Sequence, residues 1–113
     1  MSIHKQEKLI NNTDLSDFTK KCLKSLLQIP RGKVCTYQAI AKHLGSNAHR
    51  AVGSAMGKNP FAPEVPCHRI VRSNGEIGGY AFGSDKKIAL LKSEGIEIKN
   101  NKVVDLENRL YCL

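Results

Sequence analysis

Residues 36–57 read TYQAIAKHLGSNAHRAVGSAMG, a pattern that predicts two helices joined by a short turn. Thr36 is a favoured N-cap, the apolar residues after it recur at helical spacing, and Gly45 is a typical terminator. Ser46 or Asn47 can cap the second helix. Its apolar side carries Ala48, Val52, Ala55 and Met56. Two helices separated by a few residues around a glycine predict a helix-turn-helix.

The segments before this stretch predict an arm and one helix. Residues 1–13 are polar and aperiodic, which predicts a flexible N-terminal arm. A helical pattern follows, which Asp14 or Ser16 can cap and which Pro30 with Gly32 ends. Its apolar residues recur at steps of three or four: Phe18, Cys22, Leu23, Leu26, Leu27 and Ile29.

The segment after the stretch is rich in proline and glycine. Residues 58–83 predict loops, with a short strand at 69–72 and a turn at 73–75. A further helix is predicted from its Ser84 cap to Gly95. Its apolar residues are Ile88, Leu90 and Leu91.

The C-terminal segment 96–106, IEIKNNKVVDL, alternates around two asparagines, which tolerate positive φ, so it predicts a tight hairpin. The expected fold class is α+β, mainly α with small β elements, as one winged helix-turn-helix-like domain over residues 14–113. The length of 113 residues leaves room for one domain. This architecture is more often than not one that binds nucleic acid, but that link is an analogy of fold.

The composition is that of a globular protein with a basic charge balance. Eighteen Lys and Arg stand against ten Asp and Glu, for a formal net charge of +8. At 41% hydrophobic and 25% charged residues, the chain is not of the disordered class. No apolar run approaches the ~20 residues that span a bilayer. The first twelve residues lack the apolar core of a secretion signal. The charge alone gives a nucleic-acid partner about even odds.

The four cysteines, at positions 22, 35, 67 and 112, are scattered along the chain. They lack the pairs and tight spacing of a disulfide scaffold, which indicates free thiols in a reducing cytosol. Zinc is a weak option, because adjacent Cys and His residues rarely ligate one ion in a closed structural site. We therefore expect no metal.

One side of the second predicted helix of the helix-turn-helix is small and polar, with Gly53, Ser54 and Gly57. Two interpretations are open. Small residues permit close packing against another helix, or they let the helix backbone approach a bulky partner such as DNA. Arg50 projects from the same side, which makes it a candidate for insertion into a DNA groove, although a lone arginine on a helix is usually solvated.

Cys67-His68-Arg69 is the main chemical candidate. A thiol reacts as thiolate, which a neighbouring cation favours, and Pro66 fixes the backbone before it. The alternative is a buried structural cysteine. Glu94 lies in the last turn of a predicted helix, where its charge opposes the helix dipole. It is either a solvated surface residue or the partner that orients a histidine.

Five blocks of the sequence resemble the O6-alkylguanine-DNA alkyltransferases, also called methylated-DNA–protein-cysteine methyltransferases. The blocks are GKVCTYQAIA (32–41), HRAVGSAMGKNP (49–60), VPCHRIV (65–71), GEIGGYAFG (75–83) and LLKSEG (90–95). They occur in family order from Phe18 to Gly95. The resemblance implies a single-turnover transferase of DNA repair, without a metal or organic cofactor, that acts on O6-alkylguanine in duplex DNA.

The resemblance assigns four catalytic roles. Cys67 accepts the alkyl group, and His68 acts through a water as the base. Glu94 orients His68, and Tyr37 gives a proton to the departing guanine. The reactive carbon lies inside the duplex, so the nucleotide must be flipped out.

The resemblance also assigns DNA and pocket contacts. Arg50 fills the gap that the flipped nucleotide leaves, Asn59 is a hinge beside the active site, and Tyr80 with Ala81 forms a lid over the guanine. The surface toward the minor groove takes in Thr36, Ala48, Gly53, Ser54 and Gly57, and Pro66 belongs to the pocket. We expect a cytoplasmic monomer that associates with the nucleoid.

Three departures from the family pattern matter. Members usually carry an N-terminal domain, whereas residues 1–17 alone precede Phe18 here. Ala81 stands where many members have Ser. The tail SEGIEIKNNKVVDL resembles alkyltransferase-like proteins, which bind alkylguanine without repairing it and replace the acceptor cysteine. A lesion-binding protein that recruits other factors is therefore the alternative. Because Cys67 is present, transfer is favoured; a plain transcriptional regulator leaves the PCHR block unexplained.

Overall fold

The structure, a computed structural model, describes residues 2–113, which form short helices around two small sheets. The helices are α1 (Ile3–Asn11), α2 (Asp17–Leu26), α3 (Tyr37–His43), α4 (His49–Met56), α5 (Ser84–Ser93) and α6 (Leu106–Arg109), with a 3-10 turn at Cys67–Arg69. The strands are β1 (Cys35–Thr36), β2 (Ile70–Val71), β3 (Ile98–Lys99) and β4 (Lys102–Val103). The predicted fold class, mainly α with small β elements in one domain, is confirmed.

The predicted flexible arm is wrong for the residues of α1. Ser2 caps this helix by accepting the Lys5 N–H at 3.2 Å. Ile10 is 0% exposed and belongs to the core, and Gln6 Nε2 donates to the carbonyl of Glu64 at 2.8 Å. A single core residue on an otherwise polar helix gives little periodicity, so the pattern did not indicate this helix. Residue 1 of the predicted arm lies outside the described part of the chain.

The region predicted as a helix-turn-helix contains two consecutive helices, α3 and α4, that pack against each other. Thr36 caps α3 as predicted, its hydroxyl accepting the Ala39 N–H at 3.0 Å, and Gly45 adopts φ +73° after the helix. The predicted cap of α4 is wrong, because the Ser46 hydroxyl accepts the N–H of Ala48 and not an N–H within the helix.

The helices before and after this region, α2 and α5, form where the sequence predicted helices, but their first or last residues differ from the predicted ones. Ser16 caps α2, and that helix stops at Leu26, after which turns lead through the buried Ile29 to Pro30. Ser84 was predicted to cap α5 but is its first residue. Gly83 takes the N-cap position with φ +95° and no side-chain bond.

The two sheets differ in how far the sequence predicted them. The C-terminal hairpin of β3 and β4 forms as expected, with Asn100 and Asn101 at φ 53° and 61°. The strand predicted at 69–72 pairs with β1 in parallel register, Cys35 opposite Ile70. That pairing brings the start of α3 next to the Cys67–Arg69 turn.

The buried side chains form two clusters. The larger unites α1, α2, α3 and α4 with the β1–β2 pair, and the smaller lies between α5 and the hairpin. Among residues 2–113, no helix has the length and apolar character needed to cross a membrane.

Candidate active site and DNA-facing surface

The thiol of Cys67 lies at the wall of a cavity of about 740 Å³, and the residue is 5% exposed. The cavity opens between the start of α3, the polar side of α4 and the loop after β2. Of the residues predicted for the site, the following line it: Tyr37, Arg50, Gly53, Gly57, Cys67, Tyr80 and Ala81. Further lining comes from Gln38, His49, Met56, Arg72, Ser73, Asn74 and Gly79, which the sequence did not single out.

The environment of Cys67 keeps its thiol protonated. Burial raises the pKa of Cys67, against the lowering effect of a hydrogen bond from Asn59 and of the positive charge of Lys87. A protonated thiol is a weak nucleophile, so this cysteine needs a base to become reactive.

His68, the residue after Cys67, is the candidate for that base. Its Nε2 donates to Glu94 Oε2 at 2.9 Å, and its Nδ1 is buried without a hydrogen-bond partner among the described residues. Burial lowers the pKa of His68, although the hydrogen bond and charge of Glu94 raise it. The imidazole is therefore neutral near pH 7, with the proton on Nε2 and the lone pair of Nδ1 free to accept one.

Glu94 sits at the C-terminal cap of α5 and is not a solvated surface residue. Arg69 binds both its carboxylate oxygens, from Nε at 3.0 Å and from Nη2 at 2.8 Å. Burial raises the pKa of Glu94, but the hydrogen bonds of Arg69 and His68 outweigh it and hold the pKa below its usual range. Glu94 is thus ionised, and Arg69 offsets the unfavourable helix dipole.

Tyr37 is the first residue of α3 and presents its phenol to the cavity. Burial raises the pKa of Tyr37, and a thiolate at Cys67 would raise it further, so the hydroxyl keeps the proton. Gly78, at φ +73°, lies directly against this ring: a Cβ added there would meet the hydroxyl oxygen at 2.9 Å. Close approach of the loop after β2 to Tyr37 therefore requires glycine at position 78.

Asn59 and Pro66 lie in the segment that leads from α4 to the thiol. Pro66 is the N-cap of the 3-10 turn, and its carbonyl accepts the Arg69 N–H at 3.0 Å. The Asn59 side chain donates from Nδ2 to the carbonyl of Val65 at 2.7 Å and accepts the Phe61 N–H at 2.9 Å. The amide nitrogen and the amide oxygen of Asn59 are therefore both hydrogen-bonded, and they connect the start of the loop after α4 to its last residues before the 3-10 turn.

The polar side of α4 faces outward. Arg50, Ser54 and Gly57 are exposed. Gly53 is half-buried, and a Cβ added there would lie 3.9 Å from Cε1 of the Tyr37 ring. The interpretation of close helix packing is therefore wrong for Ser54 and Gly57. Ala48 is exposed and Thr36 half-buried, and neither lines the cavity.

Lys87 is a buried cation that the sequence did not single out. It is 0% exposed, and its Nζ donates to the carbonyls of Ile70 at 2.6 Å and Gly79 at 3.1 Å. Burial lowers the pKa of Lys87 to about 8, and its Nζ stands 5.9 Å from the centre of the Tyr37 ring. Its position four residues before Leu91 and seven before Glu94, on one side of α5, is the signal that could have indicated it.

The cysteines are free thiols, as predicted; Cys22 and Cys35 are buried in the core, and Cys112 is exposed. Within the described residues no cluster of three or more His, Cys, Asp or Glu side chains is arranged to hold a metal ion.

Residues 17–96 match the family model of the 6-O-methylguanine DNA methyltransferase DNA-binding domain. The chain belongs to this family. A methylated-DNA–protein-cysteine methyltransferase of Methanosarcina acetivorans is 48% identical over 81 residues, which are 71% of this chain and 52% of that protein. A protein of the same name from Saccharolobus solfataricus is also 48% identical over 81 residues. The chain spans about half the length of the curated relatives it matches.

Solved structures of the family share the fold. The Mycobacterium tuberculosis protein OGT in complex with DNA is 44% identical, with a TM-score of 0.69 over 71% of this chain and 50% of that one. Schizosaccharomyces pombe Atl1, in complex with damaged DNA containing O6-carboxymethylguanine, is 28% identical. Its TM-score is 0.75, and the match covers 89% of the present chain and 100% of Atl1.

Proposed function

We propose that this protein repairs O6-alkylguanine, mainly O6-methylguanine, in duplex DNA by transferring the alkyl group to Sγ of Cys67. The observation that carries the proposal is a thiol at the wall of a cavity, followed in the chain by a neutral His68 whose buried Nδ1 has no hydrogen-bond partner among the described residues. The relatives' names and the family match support the same reaction.

The reaction follows from the protonation states. His68 Nδ1 takes the thiol proton through a water, and the thiolate attacks the alkyl carbon in line with the departing oxygen. The S–C bond forms as the bond from carbon to guanine O6 breaks, and Tyr37 gives its phenol proton to the guanine. The proton on His68 then restores the phenol through solvent. The product is a thioether at Cys67, so each molecule acts once.

The same proposal assigns roles on the DNA side. The exposed polar side of α4 enters the minor groove, and Arg50 replaces the flipped nucleotide in the stack. Ala48, Gly53, Ser54, Gly57 and Thr36 belong to this surface. The arrangement of α3 and α4, with α4 beside the cavity, supports a helix-turn-helix in which recognition and chemistry are adjacent.

The remaining residues position the substrate. Asn59 and Pro66 hold the turn that carries the thiol, and Tyr80 with Ala81 covers the base. We further propose that the protein acts as a monomer in the cytoplasm, where its thiols stay reduced and chromosomal DNA is accessible.

The deciding experiment measures the mass of the intact protein after incubation with duplex DNA that contains O6-methylguanine. We expect one added methyl group, which Cys67→Ser abolishes while the variant still binds the duplex. An unchanged mass in a protein that binds the damaged duplex would contradict transfer.

Lesion binding without repair is the second candidate, because the match to Atl1 covers the whole of that protein. On this hypothesis the cavity holds the damaged base, and the protein recruits other repair factors. The same experiment separates the candidates, since tight binding with no added mass supports this one. The thiol of Cys67 favours transfer.

A further inference from the structure

Glu94 binds more than the histidine that it orients. Arg69 reaches both carboxylate oxygens, at 3.0 and 2.8 Å, while His68 shares Oε2 at 2.9 Å. A third donor of the guanidinium, Nη1, binds the carbonyl of Ile29 at 2.8 Å. The guanidinium is thus fixed between the end of α2 and the end of α5.

A buried carboxylate that faced the imidazole alone would attract a proton onto it. His68 is 2% and the Glu94 side chain 9% exposed, so water screens their interaction little. A protonated imidazole carries a proton on both nitrogens, and its Nδ1 cannot then accept one from a thiol. Burial already disfavours the charged imidazole, and a cation that balances the charge of the glutamate adds to that effect without disturbing the hydrogen bond that orients the ring.

We propose that Arg69 is a positioning residue that takes up the charge of Glu94, so that Glu94 orients His68 without stabilising the protonated form of its imidazole. This inference rests on the proposed function, in which His68 is the base. Arg69 itself does not line the cavity.

The charges around His68 agree with this role. Burial lowers the pKa of His68, Glu94 raises it, and Arg69 and Lys87 both lower it. Glu94 and Lys87 reach His68 from α5, and Arg69 from its own turn. These three are the charged groups among residues 2–113 that act on it. Removing Arg69 leaves Glu94 as the dominant partner, so the pKa of His68 must rise.

The test is an NMR titration of the His68 ring in the full chain, together with the pH profile of single-turnover alkyl transfer. In Arg69→Gln we expect the pKa of His68 to rise by about one pH unit or more. The acid limb of the rate profile should move to higher pH by the same amount, with the rate recovering at alkaline pH. Arg69→Lys keeps the charge but not the two-point contact, so its values should lie between those of the wild type and Arg69→Gln.

Arg31→Gln is the matched control. Arg31 binds the same end of α5, through the carbonyl of Ser93 at 2.6 Å, but makes no bond to the Glu94 carboxylate. We expect the wild-type pKa of His68 and an unmoved acid limb.

A uniform loss of rate at every pH, with the pKa of His68 unchanged, would overturn the proposal and leave Arg69 a structural residue. If Arg69→Gln does not fold, Arg69→Met takes its place, because it also removes the charge but keeps most of the length of the side chain; an unchanged pKa of His68 there has the same meaning. The titration needs no DNA. A wild-type protein that fails to transfer therefore contradicts the proposed function, while the response of His68 to Arg69 still tests the inference.

Discussion

Three consecutive residues of the candidate site, Cys67, His68 and Arg69, have different surroundings and different proposed roles. A 3-10 turn has about three residues per turn, so it directs successive side chains to different sides. Cys67 lines the cavity, while His68 and Arg69 bind the mostly buried carboxylate of Glu94, which does not line it. A strand would have sent residues 67 and 69 to the same side, and the thiol and guanidinium would then have shared one environment.

At the same scale, Gly78→Ala should slow transfer by displacing Tyr37. The new Cβ would lie 2.9 Å from the phenol oxygen, closer than van der Waals contact allows. A non-glycine residue at φ +73° also costs about 1–2 kcal/mol of stability. We expect a loss of stability of at least that size in urea unfolding, and a reduced single-turnover rate on O6-methylguanine DNA.

Gly45→Ala separates backbone strain from the clash. Gly45 has the same φ of +73°, but nothing lies within 4 Å of its added Cβ. This variant should lose stability through strain alone and transfer at the wild-type rate. Equal transfer rates in the two alanine variants would show that Gly78 does not position Tyr37.

At the scale of elements, α1 is part of the core although residues 17–96 alone match the family model. It covers α2 with Ile10 and binds the loop before Cys67 through Gln6. The loop before Cys67 is therefore hydrogen-bonded both by α1, through Gln6, and by its own residue Asn59.

Ile10→Ala should accordingly destabilise the domain by about 2–4 kcal/mol, because it leaves a cavity at a fully buried position. Ile3→Ala, in the same helix, removes a side chain that is 53% exposed and should change stability by less than about 0.5 kcal/mol. Urea unfolding of both variants measures the difference. Similar small losses would mean that α1 does not contribute to the core.

At the scale of the whole molecule, the net charge of +8 predicts salt-dependent DNA binding. Cations that contact phosphates release counterions, so affinity for undamaged duplex should fall about 10-fold or more between about 50 and 200 mM salt. Fluorescence anisotropy measures this slope. Tyr37→Phe, which changes no charge, should leave the slope as it is; a slope near zero in the wild type would refute the role of the charge.

Most of the helices and the hairpin could be predicted from the sequence alone, because local physics determines them. Thr36 and Ser16 cap the helices that follow them, and Asn100 and Asn101 take the positive φ values of a tight hairpin. The block around Cys67 indicated the chemical candidate, because the residue types and their order are specific. The caps of α4 and α5 were predicted less well, because a turn outside α4 uses the Ser46 hydroxyl and because Gly83, with a positive φ, takes the N-cap position of α5.

Only the tertiary structure decided how these residues meet. The parallel pairing of Cys35 with Ile70 joins segments far apart in the chain, and no local pattern reports such a pairing. The burial of Lys87, the core position of Ile10 and the two-point contact of Arg69 with Glu94 likewise depend on which surfaces pack together. The sequence by itself determined which groups are available and where the chain turns. Packing decided their protonation, because burial and neighbouring charges set the pKa of each group.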